Sequence, residues 1–124
     1  MAYLPQLNPQ PIGAVTVTTP GTPVQLTSTL QTVVVGSGFL VSDAATHVPC
    51  NKINLNAIAA NTGSVYIGQQ TMVRSTLAGV IAVLAKGTGL SITQNVALNT
   101  YDLSKLYIDA DSGGDGCYGS IDTV

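Results

Sequence analysis

Residues 13 to 27 read Gly-Ala-Val-Thr-Val-Thr-Thr-Pro-Gly-Thr-Pro-Val-Gln-Leu-Thr, and this stretch decides the fold class. Val15 and Val17 alternate with Thr16 and Thr18, then Val24 and Leu26 alternate with Gln25 and Thr27. A period of two sends successive side chains to opposite faces of a strand, so each run predicts a half-buried strand. Between them Thr19-Pro20-Gly21-Thr22-Pro23 predicts a turn, because proline presets φ and glycine accepts positive φ.

The same grammar continues toward the C-terminus. Thr32-Val33-Val34-Val35, broken by Gly36-Ser37-Gly38 and resumed by Phe39-Leu40-Val41, suits a strand buried on both faces or a bulged strand. Ile53 and Leu55 alternate with Asn54 and Asn56, and Asn61-Thr62-Gly63-Ser64 signals a turn into Val65 and Ile67. A strand from Gly79 to Leu84, a turn at Lys86 to Gly89, and a strand with Leu90 and Ile92 inward follow. Leu106 and Ile108 flank Tyr107, and a Gly-rich turn leads to a closing segment from Cys117 to Val124. These signals predict an all-β chain, a single antiparallel β-sandwich (jelly-roll-like) of about eight short strands, with residues 14–124 as the domain. Only Thr71 to Leu84 carries part of a helical stripe, at Met72, Leu77 and Val80, which leaves room for one helical turn.

Toward the N-terminus the pattern changes. Residues 1–13 hold Pro5, Pro9 and Pro11 among Gln and Asn, a density that prevents both helix and central strand. An extended arm is expected, and Tyr3, Leu4, Pro5, Leu7 and Pro9 are the candidate contacts with a partner surface or a neighbouring subunit. A frayed terminus is the competing reading, but four apolar residues, Tyr3, Leu4, Leu7 and Ile12, have little use in a solvated tail.

Composition narrows the function. Of 124 residues 8% are charged, where about 25% is typical, and none is Glu. A surface of Thr, Ser, Asn, Gln and Gly suits a chain covered by neighbours in an assembly rather than one that must repel its copies. Mean hydropathy is +0.36, yet the longest apolar run, Gly79 to Ala85, falls far short of the roughly 18 residues that span a bilayer. No membrane partner is expected. With no basic region ahead of an apolar stretch near Met1, a product that stays in the cytoplasm until used is expected as well. A net charge of −2 and four scattered basic residues, Lys52, Arg74, Lys86 and Lys105, argue against nucleic acid.

Candidate chemistry is sparse. The one histidine, His47, lies three residues from Cys50, but a dyad there has only Asp43 nearby as an orienting carboxylate, and no enzyme is expected. Cys50 and Cys117 read as buried thiols, with a single bridge between them as the alternative. Asp109, Asp111 and Asp115 resemble the start of a calcium loop, since alternate carboxylates converge on a hard cation. Counted from Asp109, however, the twelfth position is Ser120 where a bidentate acid is needed, so a structural hairpin turn, with no metal and no cofactor, is expected. The Thr- and Asn-rich faces offer sugar-binding groups, though the aromatic set of five Tyr and one Phe supplies few platforms.

The segments Asn61-Thr-Gly-Ser-Val-Tyr-Ile-Gly68, Gly79-Val-Ile-Ala-Val-Leu84, Gly87-Thr-Gly89 with Leu90-Ser-Ile92, and Leu103-Ser-Lys-Leu-Tyr-Ile-Asp-Ala-Asp111 before Gly114-Asp-Gly116 cover roughly the second half of the chain. Together they resemble small virion proteins of tailed bacteriophages, among them capsid decoration (cement) proteins and β-sandwich domains of head or tail fibres. The resemblance implies a virion location on the capsid surface, a homo-oligomer, most simply a trimer, and the major capsid protein as partner. A receptor- or glycan-binding fibre module is the alternative it leaves open.

Overall fold

The computed structural model describes residues 8–29, 33–34, 40–41, 48–93 and 101–123. Within them the chain runs β1 (Asn8–Thr16), β2 (Val24–Gln25), β3 (Val33–Val34), β4 (Leu40–Val41), β5 (Pro49–Cys50), β6 (Lys52–Ala57), β7 (Val65–Val73), β8 (Ala78–Leu84), β9 (Gly89–Thr93), β10 (Tyr101–Asp102), β11 (Tyr107–Ala110) and β12 (Gly116–Thr123). Short 3-10 turns span Leu26–Thr29 and Leu103–Lys105.

Among the described residues every ladder is antiparallel, and two four-stranded sheets carry the fold, in the orders β1-β12-β6-β9 and β2-β11-β7-β8. Two small ladders, β3-β4 and β5-β10, stand beside them. Taken in chain order, the first, eighth, third and sixth of the eight sheet strands build one sheet, and the second, seventh, fourth and fifth the other. That winding is a jelly roll, two Greek keys folded over one core.

Alternation fills the core from both sheets. In β6 the side chains of Ile53, Leu55 and Ala57 are buried while Lys52, Asn54 and Asn56 are half-buried. Opposite them Val65 and Ile67 of β7 and Ile108 and Ala110 of β11 are buried from the second sheet. Where the period breaks, a bulge restores it. Ile12 pairs with Gly119 but Val15 with Cys117, so one extra residue in β1 lets two apolar side chains three positions apart both face the core.

The structure moves several boundaries. Sheet pairing begins at Asn8 opposite Thr123, so residues 8–13, taken from the sequence as arm, are the first part of β1. The prolines permit this because β1 is an edge. Pro9 and Pro11 are two apart and share one backbone orientation, the one whose missing N–H is tolerated only when it faces outward. The second run keeps only Val24–Gln25 as strand, since Leu26 and Thr27 are both buried in a 3-10 turn instead of alternating. Residues 71–84 hold no helix but a strand, a turn at residues 74–77 and a strand. Of the run from Thr32 to Val41, the described part is the two-residue pairing of β3 with β4.

The jelly roll therefore has two open sides. β1 lies against the 3-10 turn that follows β2, on one side, and β8 lies beside β9 on the other.

Candidate functional site

Among the described residues the β7–β8 hairpin carries four of the five exposed large apolar side chains, the fifth being Tyr118 of β12. Ile81 is 57% exposed, Leu77 53%, and Val73 and Val83 46% each. No charged residue occurs between Arg74 and Lys86. A register shift produces part of this surface: Ile67 pairs with Ala82 and Gly68 with Val80, which leaves Ile81 over. Gly68 is required there, because a Cβ would run into the Gly79 carbonyl. At the hairpin tip Leu77 takes φ +61, a left-handed backbone that costs a side-chain-bearing residue about 1 kcal/mol or more, with no burial in return.

Between the two edge strands lies a groove of about 440 Å³ lined by Ile81, Ile92, Leu106, Asp102 and Lys105. Its Asp102 flank is fixed from below. The Asp102 carboxylate accepts hydrogen bonds from the backbone N–H groups of Val48 (2.9 Å) and Ser104 (3.0 Å) and from the Ser104 hydroxyl (2.6 Å). Ile92 and Leu106, half-buried, pack against the core and form the apolar floor.

A second pocket of about 440 Å³ involves Tyr66, Met72, Val73, Arg74, Asp109 and Asp111. Arg74 reaches Asp109 through Nε at 3.2 Å and Asp111 at 3.0 Å. Asp109 is 1% exposed and also accepts from the Gly21 N–H at 2.9 Å, which ties the first turn to β11. The Tyr66 hydroxyl donates to Asp111 at 3.1 Å. Its pKa is raised, first by partial burial and then by the bond to Asp111 and that carboxylate's charge. Asp115 points elsewhere: it accepts from the N–H groups of Thr62 and Gly63, both at 2.8 Å, and so fixes the turn before β7. The three carboxylates thus meet N–H, hydroxyl and guanidinium donors rather than one shared centre. Among the described residues no group of three or more His, Cys, Asp or Glu side chains is placed to hold a metal ion.

Cys50 and Cys117 are both buried thiols, and no bridge joins them. Burial pushes the Cys117 thiol up to about 12. Burial does the same for Cys50, also up to about 12, helped by the charges on Asp102 and Asp122 and opposed by a backbone hydrogen bond at Leu103. A thiol raised this far is largely protonated near neutral pH. His47 itself lies outside the described residues.

Tyr3, Leu4, Pro5 and Leu7 also lie outside the described residues, and Pro9 stands in β1. Sequence reasoning missed two features: Arg74 as the cation over Asp109 and Asp111, and the exposed hairpin. The uncharged run from Ser75 to Ala85, bracketed by Arg74 and Lys86, was the available signal for the second. Among the described residues no helix is long and apolar enough to cross a membrane, which says nothing of strands. The fold and site define a small jelly-roll β-sandwich protein. Comparison with protein-family models, curated proteins and solved structures finds no match.

Proposed function

We propose that this chain is a non-enzymatic structural protein of a virus particle, a capsid decoration (cement) protein on the outside of a phage head. In this reading it is made in the host cytoplasm, self-associates, most simply as a trimer, and braces neighbouring major capsid subunits. One observation carries the reading: a jelly roll poor in charge leaves large apolar side chains exposed along one side, where an isolated soluble domain gains nothing from them. The jelly roll recurs among viral shell proteins, an analogy of fold that adds support without deciding function. The sequence resemblance supplies the phage head.

Attachment by such a protein is burial without chemistry. Each contact removes apolar area at roughly 25 cal/mol per Å². Several weak contacts from one oligomer then combine into tight binding through their effective concentration.

A receptor- or glycan-binding head or tail fibre module is the second reading, favoured by the pocket that sets Tyr66 beside Arg74 and Asp111. Image reconstruction of intact particles separates the two. Regular knobs across the shell are expected for cement, density confined to a fibre or tail tip supports the second reading, and absence from the particle overturns both.

A further inference from the structure

We infer that the groove between β8 and β9 of one copy receives residues 1–7 of a second copy, so that subunits join head to tail. The inference rests on the assembly reading above and names the surfaces that assembly uses.

The acceptor is mostly apolar: Ile81, Ile92 and Leu106 line it, together with Asp102 and Lys105. About 440 Å³ lies within the roughly 300–1,000 Å³ range of small binding clefts, so it takes a few side chains rather than a domain. Residues 1–7, Met-Ala-Tyr-Leu-Pro-Gln-Leu, offer Tyr3, Leu4 and Leu7 and no charged side chain. The sequence places Pro5 after Leu4, and a residue before proline is biased away from helical geometry, which lowers the ordering entropy lost on docking an extended segment. An extended segment also presents backbone carbonyls, and the exposed Lys105 is a donor for them.

Topology decides which copy supplies the segment. Asn8 pairs with Thr123, Asp122 with Lys52, and Lys52 with Thr93, so the stem of the segment and the Ile92 end of the groove share one end of the sheet. They stand on opposite sides of it. In the order β1-β12-β6-β9 three inter-strand spacings, about 14 Å, separate β1 from β9. Seven extended residues cover at most about 25 Å. Its own groove lies across the ends of β12 and β6 from the Asn8 stem, whereas the groove of a second copy carries no such constraint. A donor on one side and an acceptor on the other make a heterologous contact, which closes into a ring, as a trimer requires, or else runs on as a filament.

Two variants of the full chain test this in sedimentation velocity. Tyr3→Ser, Leu4→Ser and Leu7→Ser combined removes the donor. Ile81→Lys blocks the acceptor at a side chain 57% exposed, which folding does not need. The expected result is an oligomer for the unmodified chain, a monomer for each variant alone, and a one-to-one dimer when the variants are mixed, because intact arms fill intact grooves. Oligomers formed by either variant alone overturn the inference and leave the assembly reading standing. A monomeric unmodified chain overturns both, and lower thermal stability of the serine variant would then place the segment in its own groove.

Discussion

The two open sides of this jelly roll are finished differently. On the β1 side the edge strand carries Pro9 and Pro11 and a bulge at Gly13-Ala14, and β2 is two residues long behind Pro23. These are the devices by which sheet proteins prevent edge-to-edge association. On the β8 side the edge strand is seven residues long and carries no proline and no charge, and Ile81 and Val83 stand exposed. One edge is blunted against strand pairing and the other is not. Burial concentrates in the core between the sheets and exposed apolar surface on the β8 side, the surface that the proposed association uses.

The largest test of that division is in the core. Leu55→Ala in β6 removes a side chain 1% exposed, and a loss of about 2–5 kcal/mol is expected in denaturant unfolding. A loss under about 1 kcal/mol would mean that the sheets do not share this core.

Alkaline titration sharpens the same boundary. Both thiols have folded pKa values raised from 9.0 to about 12. The unfolded chain therefore ionises first, and the stability that the protonated thiols contribute below pH 9 is lost as pH rises from about 9 toward 12. The slope should approach about 1.4 kcal/mol per pH unit for each thiol. The Cys50→Ala, Cys117→Ala double variant should unfold with a flatter dependence over that window. An unchanged slope would place the thiols in contact with water.

A smaller effect belongs to the carboxylate loop. Asp115→Ala leaves the Thr62 and Gly63 N–H groups without their acceptor, and about 1–3 kcal/mol of stability should be lost. Adding calcium to the unmodified chain should leave its thermal midpoint in place, because Arg74 already bridges Asp109 and Asp111 while Asp115 accepts from the Thr62 and Gly63 N–H groups. A rise of several degrees would show that the cluster rearranges around a cation.

At the hairpin the sign reverses. Leu77→Gly relieves a left-handed leucine and should raise monomer stability by about 1 kcal/mol while weakening self-association. If it weakens folding instead, the tip serves the monomer and the asymmetry of the two sides is lost.

Much of this was legible in the sequence because strand patterning is local. Ile53 and Leu55, Val65 and Ile67, and the turns at Asn61–Ser64 and Lys86–Gly89 follow from residues within a few positions of one another. What was not legible depends on distant partners. Ile12 and Val15 fit no single period, and only the register against Gly119 and Cys117 shows why both are buried. Arg74 and Asp111 lie 37 residues apart, so their ion pair has no local signature. The Leu26–Thr29 turn reads as strand because burial of consecutive Leu26 and Thr27 is set by neighbouring elements, not by their own alternation.

Hydrogen–deuterium exchange at low and high protein concentration tests the asymmetry most directly. On association, amides of residues 78–84 and 89–93 should gain protection while those of β1 from residue 8 to 16 keep the rates of the dilute protein. Equal protection on both sides, or none on β8 and β9 in a sample shown to be associated, would contradict the account.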